Sequence, residues 1–149
     1  MCSICGDSRA EGQTWFLLAE SRWQNSLKIL GWQEALARRN GIHEACCPEH
    51  VQELVTHWMA FGNLDFLLMN QMSSFERPRG ARIRVALEPD LRGAREIGEL
   101  AIDRESLGRI LREYPDSLQI LLDELYDVLQ RETEEAQNVE SALKVVRAC

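Results

Sequence analysis

Cysteine and histidine carry most of the chemical reach in this chain: five cysteines and three histidines among 149 residues. Four of the cysteines fall in two close groups. Cys2 and Cys5 are separated by two residues, and Gly6 follows. Two thiolates so spaced can bind one ion from one tight turn, and the glycine relieves the backbone after it. Cys47-Pro48-Glu49-His50 repeats the same gap. Proline suits the first position of a helix, so Cys47 and His50, at i and i+3, are expected to share a helix face. Free N–H groups and the dipole at such a helix start favour thiolate charge. Cys2, Cys5, Cys47 and His50 therefore form a Cys3His set, a closed composition suited to structural zinc. Two substitutions stay open within it. Cys46, four residues before His50, can replace Cys47, and His43 can replace His50. Cys149, at the end of the sequence, reads as idle.

A catalytic zinc keeps one position open for water and a general base nearby. Three thiolates and an imidazole leave no opening. Glu49 sits between two ligands, but after Pro48 it reads as a first-turn acid matching the helix dipole. The sequence has no Gly-rich phosphate loop, nucleophile elbow or His-Glu-x-x-His arrangement. Paired acids such as Asp123-Glu124 and Glu134-Glu135 read as solvated helix surface. A non-enzymatic chain is the expectation.

The elements that must position the four ligands can be read around them. Thr14 to Glu20 is apolar and strand-like, and Ser26 to Trp32 is its expected hairpin partner. Gln33 to Arg39 adds a short helical turn before the Asn40-Gly41 turn signal. From Pro48, the residues Val51, Leu54, Val55, Trp58 and Met59 repeat at helical spacing, and Gly62 is the expected stop. Trp15, Trp23, Trp32 and Trp58 are expected in a core around the metal. A Cys-x-x-Cys turn, a hairpin, then two ligands at a helix start resembles treble-clef zinc fingers. The resemblance covers residues 2 to about 60, at the level of the fold. The 41 residues between Cys5 and Cys47 are long for such a finger, and an insertion around Trp23 to Arg39 would account for them.

The second half reads as helical. Leu91 to Ala101 is expected as one short helix. Asp103 would cap another carrying Leu107, Ile110, Leu111 and Tyr114, and Pro115 would end it. Then Leu118, Leu122, Leu125, Leu129, Glu132, Ala136, Val139, Leu143 and Val146 are spaced alternately by four and three. That is a heptad seam with one polar exception, Glu132. A helix over it would be about 45 Å long at ~1.5 Å per residue, so its end should project or meet a partner. Self-association through Leu129, Ala136, Val139, Leu143 and Val146, as a homodimer, is the expectation.

The formal net charge of −7 disfavours nucleic acid as a whole-surface partner. The charge is unevenly placed. Residues 1–76 hold nine acids and five bases, residues 77–84 four arginines and no acid, and residues 85–149 fifteen acids and eight bases. Arg77, Arg79, Arg82 and Arg84 thus form the one basic island available to phosphates. The apolar spacing over 97–111 resembles the helix-turn-helix of bacterial repressors, but its second helix is electrically neutral. DNA binding by a transcriptional regulator is the alternative to a protein-interaction role. No stretch reaches the ~18 charge-free apolar residues of a membrane span, and no apolar leader follows Met1, so no membrane partner and a cytoplasmic location are expected.

Together these features predict a mainly α protein with a small β-hairpin. A treble-clef-like zinc module occupies 1–76, a basic linker 77–90 and a helical domain 91–149. Its function would be that of a regulatory or protein-interaction module.

Overall fold

The computed structural model describes residues 1–64 and 88–148. Arg77, Arg79, Arg82, Arg84 and Cys149 lie outside the described residues. Within them, four strands form one antiparallel sheet: β1 (Phe16–Ser21), β2 (Ser26–Gly31), β3 (Ile42–Ala45) and β4 (Glu96–Ala101), in the order β3-β1-β2-β4. Helices α1 (Glu34–Ala37), α2 (Pro48–Phe61), α3 (Arg104–Glu113) and α4 (Ser117–Ala148) accompany it.

This sheet corrects the expected mainly α fold with a single small hairpin. The hairpin itself forms, with Phe16 opposite Gly31 and Ser21 opposite Ser26. Each of its outer edges then takes another strand. Leu18 of β1 faces His43 of β3, and Leu27 of β2 faces Leu100 of β4. The strand Glu96–Ala101 lies where a helix over Leu91 to Ala101 was expected. Its short apolar pattern fits either period, and Gly98 weakens it as a helix. The open edge of β2 decides the matter, because pairing there satisfies the β4 backbone while Ile97 and Leu100 join the core. Residues 97–111 are consequently a strand and a helix, and the helix-turn-helix pattern is not formed. The register slips once, between Ile29 and Leu30, so Ile97 is extra on β4.

Alternation along the strands separates two apolar faces. Phe16, Leu18, Leu27, Ile29 and Ala45 share one face with the α2 residues Val51, Leu54, Val55, Trp58 and Met59. Leu118, Leu121, Leu122 and Leu125 of α4 pack against this cluster, and Leu129 is fully buried in it. On the other face Leu17, Ala19 and Leu30 meet Leu36 of α1, with Trp32 and Leu91 alongside.

The helix boundaries follow local chemistry. Pro48 begins α2, and Gly62 ends it in a left-handed conformation at φ +82°. Asp103 caps α3 by accepting the Ser106 N–H at 2.9 Å. Past Leu129 the seam of α4 leaves the core. Val139, Leu143 and Val146 are 61%, 52% and 72% exposed. Glu132, the polar exception in the heptads, forms an ion pair with Arg95 just before β4. Among the described residues no helix is long and apolar enough to cross a membrane.

Candidate metal centre

The Cys2–Cys5 turn is built by its own backbone. The Gly6 N–H donates to the Cys2 carbonyl at 3.0 Å, the Cys2 N–H donates to the Asp7 carbonyl at 2.8 Å, and Gly6 takes φ +77°. Ser3 then docks the turn on the outer edge of β3. Its N–H donates to the Glu44 carbonyl at 2.8 Å, and its hydroxyl accepts the Glu44 N–H at 3.3 Å. This pairing carries the knuckle to the point where β3 ends and α2 begins, and the stretch from Trp23 to Arg39, expected as an insertion, holds β2 and α1.

There the donor atoms of Cys2, Cys5, Cys46 and His50 lie within 4.8 Å of one another, close enough to hold a metal ion. Sγ of Cys46 is 3.7 Å from Sγ of Cys5 and 3.1 Å from Nδ1 of His50, and Sγ of Cys2 is 3.4 Å from the same nitrogen. A tetrahedral zinc with Zn–S of about 2.3 Å and Zn–N of about 2.0 Å would separate its donors by roughly 3.5–3.8 Å. The donors lie around these separations, close enough to hold a metal ion. All four cysteines among the described residues are free thiols, and the 3.7 Å between Cys5 and Cys46 is far from a bonded S–S distance of about 2.05 Å.

The structure brings Cys46, the alternative ligand, to the place expected of Cys47. The reason lies in the backbone. Cys47 is the cap residue of α2 and is still extended, at φ −157° and ψ 164°. The rule that places i and i+3 on one face applies only within a helix. Cys47 Sγ stays close to Cys46 Sγ, at 3.9 Å, but it is not among the four donors that converge. His43, the other alternative, is buried in the sheet opposite Leu18, away from the cluster. Of the tryptophans, Trp15 and Trp58 are buried, and Trp15 meets Trp32 edge to face at 5.8 Å. Trp23 departs from the expected core, standing 82% exposed beyond β1. No sequence signal separated it from the other three.

Thiol electrostatics differ across the cluster. Burial pushes the Cys2 thiol up, but N–H groups of Cys5, Ile4 and Cys46 outweigh it and bring it down to about 7. Cys46 is pushed well above its ordinary value by burial and by the neighbouring Cys2 and Cys5 sulfurs. Burial likewise raises Cys47, with the Glu49 carboxylate adding to it. The Glu49 carboxyl is held below its usual range by its own N–H at the helix start, by Cys47 and by Tyr126. Tyr126 lies on α4, and its hydroxyl donates to Glu49 Oε1 at 3.0 Å, a contact between the first turn of α2 and α4 that the linear sequence does not announce.

A cavity of about 550 Å³ borders the centre, lined by Asp7, Gln13, Cys46, Cys47, Thr133 and Gln137 among others. No protein-family model matches this chain, and no curated protein or solved structure is significantly similar to it.

Proposed function

We propose that this chain is a small zinc-binding, non-enzymatic protein-interaction module that self-associates through the exposed half of α4. The observation that carries the zinc reading is the convergence of three sulfurs and one imidazole nitrogen within 4.8 Å. Four protein donors complete a tetrahedron and leave no position for substrate or water, as in structural rather than catalytic sites. The ion would fasten the knuckle to the end of β3 and the start of α2. Those contacts are few, and metal binding contributes folding energy directly where ligands come from separate segments.

Support for self-association comes from α4. Its heptad seam continues through Ala136, Val139, Leu143 and Val146 after the helix has left the core. An intramolecular seam would end where its partner ends. A second copy of the same seam gives these residues a cover of matching length and spacing. The test is metal content and native mass measured on one sample. About one zinc per chain and a mass above the monomer support the proposal. A metal-free chain with an unchanged melting curve would overturn the zinc reading, and a monomer at high concentration would overturn self-association.

A further inference from the structure

The turn of α2 that carries His50 is gripped by α4 from both sides of that residue. Glu49, immediately before His50, accepts the Tyr126 hydroxyl at 3.0 Å. Gln52, two residues after it, donates through Nε2 to the Leu122 carbonyl at 2.7 Å. Leu122 and Tyr126 are one turn apart on α4, so one turn of α4 holds one turn of α2. Beneath these polar contacts Val51 and Val55 share an apolar cluster with Leu118, Leu122 and Leu125. Of the four donors, His50 lies on this first turn and Cys46 stands two residues before it begins, so the turn sets their mutual position. A first turn has no helical turn before it to hold its N–H groups, and it frays readily when unsupported.

We propose that Tyr126 is a positioning residue for the metal centre, and that metal loading and the docking of α4 are coupled through Glu49 and the first turn of α2. The inference rests on the reading of Cys2, Cys5, Cys46 and His50 as a zinc site. A docked α4 holds Cys46 and His50 near their binding geometry, so the ion meets a partly ordered site. Reciprocity follows from linkage: if docking tightens the ion, the ion tightens docking by the same factor. Since α4 runs unbroken from Ser117 to Ala148, the docked half and the exposed seam belong to one rod. Loading the site thereby steadies the direction in which Val139, Leu143 and Val146 are presented.

The test uses the full chain with zinc as the probe. Zinc affinity is measured by competition with a chromophoric chelator for the parent, Tyr126→Phe and the control Tyr114→Phe, whose ring is exposed. Loss of the Tyr126 hydroxyl is expected to weaken zinc by roughly 10- to 100-fold, the range for partners that orient ligands from outside the coordination sphere, with no change for Tyr114→Phe. Cobalt substitution should give the same absorption spectrum in all three, showing that the donors are unchanged. In parallel, amide exchange over residues 118–129 should slow on zinc loading in the parent, and slow much less in Tyr126→Phe. A general structural role would lower stability but would not remove this zinc dependence. Should Tyr126→Phe fail to fold, Gln52→Leu removes the second clamp and reads the same coupling. Equal zinc affinity in parent and variant, or α4 exchange indifferent to zinc, overturns the coupling and leaves the zinc site standing. A chain that takes up no zinc overturns the metal reading and the coupling with it.

Discussion

Sγ of Cys46 lies 3.1 Å from Nδ1 of His50, across the boundary between β3 and α2. This pair, and not Cys47 with His50, joins Cys2 and Cys5 in the four-residue cluster. The two adjacent cysteines should therefore behave differently. Cys46→Ser is expected to weaken zinc by more than the ~10- to 100-fold of an outer-sphere change. Cys47→Ser should retain about one zinc per chain. Elemental analysis after dialysis against a weak chelator distinguishes them, and equal loss from both would contradict the assignment.

Removing zinc should loosen the knuckle first. Besides the donor cluster, it is attached by the Ser3–Glu44 pair of hydrogen bonds, each contributing about 1 kcal/mol net, by the Met1 ammonium–Glu44 ion pair and by Ile4 packing against the core. A chelator is expected to lower the melting temperature and to speed amide exchange at residues 2–7, while β1 and β2 stay protected. Exchange measured with and without chelator checks this. Uniform protection in both states would argue against a bracing ion.

In metal-free protein the Cys2 thiol titrates at about 7, below its ordinary value of 9.0. For an acid with a lowered folded value, the stabilisation is complete above about pH 9 and is lost as pH falls through about 7. Cys5, Cys46 and Cys47 are raised, so they oppose this as pH approaches about 9, where the unfolded chain gives up those protons before the folded one. The denaturant midpoint of the metal-free chain should therefore rise between about pH 7 and 8, and the rise should flatten in Cys2→Ser. An unchanged slope would refute the assignment to Cys2.

Gly62 and Arg104 form one stop for α2. The Arg104 guanidinium donates to the Trp58 carbonyl at 3.0 Å, and a Cβ at Gly62 would fall 2.4 Å from it. With φ at +82°, Gly62→Ala adds left-handed strain of about 1–2 kcal/mol and displaces a hydrogen bond worth about 1 kcal/mol. A loss of roughly 2–3 kcal/mol is expected in chemical denaturation. Arg104→Ala should cost about half as much. A loss in Gly62→Ala below ~0.5 kcal/mol, the range of neutral surface changes, would show that the helix end is not held this way.

The two halves of α4 should respond oppositely. Leu129 is fully buried, and Leu129→Ala is expected to cost about 2–5 kcal/mol. Val139 and Leu143 are exposed, so Val139→Glu with Leu143→Glu should shift stability of the monomer by only ~0.5 kcal/mol per site. The same pair should reduce the native mass in sedimentation. If mass is unchanged, the exposed seam does not mediate association.

Much of this could be read from residue types and short-range spacing. Pro48 and Gly62 mark α2 because one lacks an N–H and the other tolerates positive φ, properties of the residues themselves. Asp103 caps its helix for an equally local reason. The Cys2–Cys5 turn needs only its own backbone and Gly6. Period two exposed the β1–β2 hairpin, and the alternate four and three spacing exposed α4.

Other features depend on partners distant in sequence. Whether Glu96–Ala101 becomes strand or helix turns on the unpaired edge of β2, about 70 residues earlier, which no local pattern encodes. The choice between Cys46 and Cys47 turns on the strand-to-helix boundary, where Cys47 is still extended and the helical i, i+3 spacing to His50 does not apply. The partner of Glu132 is likewise set by where β4 begins, which puts Arg95 beside α4. Sequence determined that three cysteines and a histidine could share an ion. Tertiary structure brings Cys46, and not Cys47, beside Cys2, Cys5 and His50, because the knuckle docks through Ser3 on Glu44, where β3 runs into α2.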